Sequence, residues 1–133
     1  MTSWLTHEIE QELTDRARQS APHECAGLIG VDQGGRTLIF PCPIEFTSPT
    51  GFYIPAKVFW DLRTANGELV AIYHSHPSGN DRLSPRDLMS MKIGDSPTYP
   101  GVEWLIIPYT NDRVAKLVRY VWCPDRLGFT KRS

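Results

Sequence analysis

The chain has 133 residues, of which 41% are hydrophobic, 22% charged and 11% aromatic. That is the make-up of one ordinary globular domain over residues 1–133 with a real core, and it excludes disordered, collagen-like and coiled-coil chains. Fourteen Lys and Arg against fifteen Asp and Glu leave a net charge of −1, so no bulk field draws the chain to nucleic acid or an anionic membrane, and neither is expected as a partner.

The opening stretch Met1–Glu8 has no basic segment followed by an apolar run, and eighteen consecutive apolar residues occur nowhere; the expectation is a soluble, non-secreted protein. Cys25, Cys42 and Cys123 are odd in number and include no Cys-x-x-Cys pair, which fits reduced thiols and a cytoplasmic setting. From Thr6 to Ser20 the apolar residues Ile9, Leu13 and Ala17 recur every four positions, the pattern of an amphipathic helix capped by Thr6 and ended by Ala21-Pro22. Cys25–Val31 reads as a buried strand, Asp32–Gly35 as a turn and Arg36–Phe40 as the second arm of a hairpin. Pro41, Pro43 and Pro49 mark an irregular connection, and Gly51–Ile54 a short strand.

Pro55 suits the first position of a helix to about Asn66, with Val58, Phe59 and Leu62 inward and Gly67 closing it. Glu68–His74 is a strand that runs into a polar loop, Ser75–Leu83. Ser84-Pro85-Arg86-Asp87 opens a helix of roughly ten residues, and Glu103–Ile107 and Lys116–Trp122 close the chain as strands. The tail from Pro124 is expected to be loosely held.

Chemistry concentrates at one place. His74 and His76 are at i and i+2, so on an extended chain both imidazoles point to one side. Asp87 lies eleven residues later in the first turn of the next helix, where a returning loop can carry its carboxylate to the same point. Two His and one Asp leave a fourth tetrahedral position open, the pattern of a catalytic zinc with a bound water, and hydrolysis follows from it. Such a site needs a base and an oxyanion donor, for which Glu24 and Ser84 are the candidates.

The residues as they stand are Glu24, an apolar strand, then His74-Ser75-His76-Pro77, six residues, Ser84, two residues and Asp87. This resembles the JAMM motif of the MPN+ (Mov34/MPN/PAD-1) zinc metalloproteases, a Glu followed by His-x-His-Pro-x6-Ser-x2-Asp, at every motif position. The likeness extends to the order of helices and strands over most of the chain. It implies an α/β (α+β) fold, a curved and mostly antiparallel sheet flanked by helices and related to cytidine deaminases. It implies one zinc on His74, His76 and Asp87, with Glu24 as general acid/base holding the catalytic water and Ser84 steadying the oxyanion. The reaction it implies is hydrolysis of an amide or isopeptide bond in a protein or peptide substrate. The first reading of that substrate is the C-terminal tail of a ubiquitin-like or sulfur-carrier protein, and the second a phage-tail assembly or peptidoglycan peptide. A metal-free scaffold that only binds partners is the alternative from another class.

Plainer readings stand beside these. Ser84 to Asp87 is equally a helix capping box, and a His-x-His pair alone is more often two ordinary histidines; Pro77 and Glu24 in place favour the metal. His7 and His23 are expected to be solvated, Cys25 a small buried apolar group, and Phe59, Trp60, Trp104 and Trp122 core packing. Asn80-Asp81-Arg82 reads as a solvated loop.

Overall fold

A computed structural model describes residues 3–110, 113–114 and 116–132. Met1 and Thr2 of the opening stretch and Ser133 of the tail lie outside the described residues. Helix α1 (His7–Ser20) is followed by β1 (Ala26–Val31), β2 (Thr37–Pro41), a 3-10 turn (Ile44–Phe46) and the short strands β3 (Thr47–Ser48) and β4 (Gly51–Phe52). Then come α2 (Ala56–Thr64), β5 (Glu68–His76), α3 (Pro85–Met91), β6 (Lys92–Ile93), β7 (Ser96–Pro97), β8 (Glu103–Thr110), β9 (Arg113–Val114), β10 (Val118–Cys123) and β11 (Gly128–Lys131).

The main sheet has the order β11-β10-β8-β5-β1-β2, with β9 on β8. Every pairing in it is antiparallel except β5 with β8, where His74 stands beside Ile106. A parallel pair needs a crossover connection, and this one leaves the sheet at His76 and carries α3 before returning as β8. The two histidines therefore sit at the end of a central strand, and the next helix is obliged to pass over them.

Side chains alternate across the sheet. Ala71 and Tyr73 of β5 and Leu105 and Ile107 of β8 pack with Leu13 and Ala17 of α1, while Leu28, Ile72, Trp104 and Ile106 pack on the other face with Val58 and Leu62 of α2 and Met91 of α3. His74 and His76 share the face of Ile72 and so look toward α2 and α3. Thr6 caps α1 as expected, accepting from the Ile9 N–H at 3.2 Å. Gly27 is required by close approach: a Cβ there would lie 2.6 Å from both the Tyr73 hydroxyl and the Phe40 carbonyl oxygen.

Several local expectations are corrected. β5 continues to His76 because it pairs with β8 on one side as well as β1 on the other, so the loop is shorter by two residues than Ser75–Leu83. Pro55 caps α2 from an extended conformation instead of beginning it. Asn66 (φ 57°), not Gly67, takes the left-handed position after α2; the Gly67 N–H bonds the Leu62 carbonyl. Helix α3 has seven residues rather than about ten, since Lys92 turns extended into the β6–β7 hairpin.

The tail is not loosely held. β11 pairs with β10, Phe129 meets the Trp122 ring edge-on at 5.3 Å, and the Arg132 N–H bonds the Arg119 carbonyl at 2.8 Å. Trp60 is 62% exposed and not core, because it occupies the solvent side of α2. His23 is half-buried rather than solvated, its Nδ1 lying 3.3 Å from the Thr47 hydroxyl, while His7 is exposed. Among the described residues no helix is long and apolar enough to cross a membrane.

Candidate metal centre

His74, His76 and Asp87 are all buried and present one ligand atom each within 4.8 Å of one another. His74 Nε2 and His76 Nε2 lie 3.1 Å apart, His74 Nε2 is 3.1 Å from Asp87 Oδ1, and His76 Nε2 is 3.1 Å from Asp87 Oδ2. Ligands about 2.0–2.1 Å from a tetrahedral zinc stand roughly 3.3 Å from one another. The two imidazoles already have that spacing, each faces a different oxygen of the Asp87 carboxylate, and the three side chains could together hold a metal ion.

Each donor is held from behind. Asp87 is the third residue of α3, whose capping box is complete: the Asp87 N–H donates to Ser84 Oγ at 3.0 Å and the Ser84 N–H donates to Asp87 Oδ2 at 2.9 Å. The plain capping reading and the ligand reading are therefore compatible in one carboxylate. His76 Nδ1 lies 3.0 Å from the Asn80 carbonyl oxygen, an acceptor that fixes the proton on Nδ1 and turns Nε2 toward the centre. The loop read as solvated is thus tied down at Asn80, and Asp81 is tied by Lys131 at 2.9 Å. His74 Nδ1 is buried without a partner among the described residues, and its ring is oriented by Phe52, whose centroid is 4.9 Å away.

The charges follow from these contacts. Burial drives the His74 pKa down despite Asp87, so that ring is neutral. For His76 burial also acts downward, but the hydrogen bond and charge of Asp87 outweigh it and raise the pKa. Burial acts upward on Asp87, yet hydrogen bonds from His74 and His76 hold its carboxyl well below the usual carboxylate range. The cluster is an anionic set of donors, and it would take a cation in place of the histidine proton.

Glu24 lies one residue before Cys25, whose carbonyl accepts the Ser75 N–H at 2.9 Å. Its own N–H is spent on the Ser48 carbonyl at 2.9 Å. By strand alternation its side chain falls on the face of Ala26, which is paired with His74. The carboxyl is buried, Oε1 has no hydrogen-bond partner among the described residues, and burial pushes its pKa up to about 7, with His76 opposing. A buried carboxyl with an idle oxygen beside a donor cluster has room for a polar guest such as a water.

Ser84 is half-buried at the start of α3. Its oxygen accepts the Asp87 N–H, which leaves the hydroxyl proton to give to another acceptor. Cys25 is buried as expected and its N–H donates to Ser75 Oγ at 2.7 Å, so the residue between the two histidines ties β5 to β1 on the opposite face. Sequence reasoning missed Phe52 and Asn80 as supports; neither spacing nor residue type distinguishes a ring that packs on an imidazole or a carbonyl that accepts.

A groove of about 550 Å³ is lined by Phe46, Ser48, Gly51, Phe52, Tyr53 and Arg86 among others. Phe52 packs on the His74 ring and the Ser48 carbonyl accepts the Glu24 N–H, so the groove's wall is shared with residues that support the centre.

The family model described as prokaryotic homologs of the JAB domain matches residues 6–120. No curated protein matches the chain. Among solved structures, the solution structure of a protein from Desulfitobacterium hafniense superposes with a TM-score of 0.67 at 22% identity, covering 96% of this chain and 87% of that one. The solution structure of a protein from Salinibacter ruber gives a TM-score of 0.62 at 21% identity, with the same coverage of 96% and 87%. Both likenesses concern the fold.

Proposed function

The chain belongs to the prokaryotic homologs of the JAB domain, and on that premise we propose that it is a zinc-dependent peptidase or isopeptidase. Its substrate on this reading is the C-terminal tail of a ubiquitin-like or sulfur-carrier protein. The observation that carries the proposal is Glu24, a buried carboxyl with an oxygen unpartnered among the described residues, on the side of the sheet where His74 and His76 meet Asp87 of α3.

Zinc bound there would supply Lewis acidity to a water and to the substrate carbonyl. The residues of the chain do the rest. His74, neutral and fully buried, His76, oriented by Asn80, and Asp87, ionised and capped, would hold the cation. Glu24, with a carboxyl pKa of about 7, takes a proton from a water at Oε1 and returns it to the departing amine. Ser84 Oγ, locked on its acceptor side by the Asp87 N–H, donates its proton toward the carbonyl oxygen as charge develops there. The groove beside Phe52 and Ser48 receives an extended chain and brings its amide to Glu24. No covalent bond to the enzyme is required.

The test is intact-mass analysis of C-terminally extended ubiquitin-like proteins, peptide conjugates and peptidoglycan peptides incubated with zinc-loaded wild type and Glu24→Gln. Cleavage by wild type alone supports the reading, and the mass lost names the bond. Equal cleavage by Glu24→Gln removes the role given to Glu24. Zinc bound by wild type with nothing cut contradicts the substrate class.

A further inference from the structure

The groove lined by Phe52 and Ser48 carries one arginine outside ion-pair reach of any carboxylate among the described residues. Arg86, the residue before Asp87, points into it with Phe46, Tyr53 and Met89, and these three are large apolar side chains left exposed. Among the described residues no carboxylate lies within ion-pair distance of Arg86, which in this resembles Arg36, Arg63, Arg82 and Arg126 and differs from Arg16, Arg18, Arg119 and Arg132. Its position is nevertheless built. Nη1 donates to the Thr50 carbonyl at 3.3 Å, and the side chain lies across Gly51, where a Cβ would come 2.6 Å from Nη1 and 3.0 Å from Cδ. Only glycine at position 51 leaves the guanidinium this seat. One of its five N–H donors is spent, and its charge is felt at Glu24.

We propose that Arg86 is a specificity-determining residue that anchors a carboxylate of the peptide lying in the Phe46–Tyr53–Met89 groove. The proposal rests on the peptidase reading and adds the substrate chemistry to it. A planar guanidinium held at one corner presents the remaining fork to a carboxylate, the group it matches in two-point geometry. Glu45 on the same groove repels an anion and so favours the Arg86 end. The carboxylate can be the free C-terminus of a short tail or an acidic side chain, and the two sources make different substrates.

The experiment uses acetyl-Ala-Phe-Gly-Gly-Ala as free acid and as C-terminal amide, together with the amides of acetyl-Ala-Glu-Gly-Gly-Ala and acetyl-Ala-Gln-Gly-Gly-Ala. Hydrolysis and binding of all four are measured with zinc-loaded wild type, Arg86→Ala and Arg86→Lys. In wild type, one anionic peptide has a KM or Kd at least about tenfold below its neutral counterpart, as a hydrogen-bonded charge pair requires. In Arg86→Ala that ratio falls to near one; Arg86→Lys retains part of it. Preference for the free acid names the terminus as the source, and preference for the Glu peptide names a side chain. Equal handling of anionic and neutral peptides by wild type, or an equal loss on both in Arg86→Ala, overturns the proposal. If wild type binds with this preference and cuts nothing, the anchor stands and the peptidase reading fails. If it cuts without the preference, the reverse holds.

Discussion

Ser84 and Asp87 bond each other twice, through the Asp87 N–H to Ser84 Oγ at 3.0 Å and the Ser84 N–H to Asp87 Oδ2 at 2.9 Å, and the same Oδ2 stands 3.1 Å from His76 Nε2. One carboxylate therefore starts a helix and closes the donor cluster.

Two substitutions at Ser84 separate its duties. Ser84→Ala removes the cap and the hydroxyl together and costs about 1 kcal/mol of stability, whereas Ser84→Gly loses only a few tenths. Both should lower kcat by about a hundredfold if the hydroxyl steadies the oxyanion, with zinc content unchanged. Urea unfolding and steady-state kinetics on the pair check this; activity that tracks stability would leave Ser84 as a cap alone.

Glu24 should oppose stability as pH rises. Its carboxyl pKa is raised from 4.5 to about 7, so the folded state prefers the neutral acid, and stability present below pH 4.5 is lost progressively up to pH 7. After allowance for solvent screening the loss is on the order of 2 kcal/mol. Metal-free Glu24→Gln should accordingly be more stable than metal-free wild type at pH 8 and no more stable at pH 4. Denaturant melts at both values test the sign.

Catalysis carries the matching signature. As the base, Glu24 must be ionised, so kcat/KM should climb through an apparent pKa at or below about 7, because a cation at the centre favours the carboxylate. A pH profile with no ascending limb anywhere below pH 7 would contradict that role.

Gly27→Ala should cost about 2–3 kcal/mol, since the added carbon meets a backbone carbonyl as well as the Tyr73 hydroxyl and β1 cannot retreat from both. Thermal unfolding reads it directly.

Much of this arrangement was legible in the sequence because the physics there is local. The period of Ile9, Leu13 and Ala17, the Thr6 cap, the Asp32–Gly35 turn and the i, i+2 spacing of the histidines each act within a few residues. Asp87 was legible because a capping box and a ligand place the carboxylate alike. What escaped depends on distant chain. The reach of β5 to His76 is set by its pairing with β8, the order of the tail by β10, and the exposure of Trp60 by which side of α2 the sheet covers. Glu24 is the instructive case: the resemblance named it where spacing would not have, because fifty residues separate it from His74 and the register of β1 on β5 brings it to that face.

The most direct test of the metal centre is zinc content after equilibrium dialysis against the free ion, on wild type, Glu24→Gln and Asp87→Ala. One zinc per chain in wild type and in Glu24→Gln, and none in Asp87→Ala, is the expected result. A wild type without zinc, or an Asp87→Ala variant that binds as wild type does, would contradict the assignment.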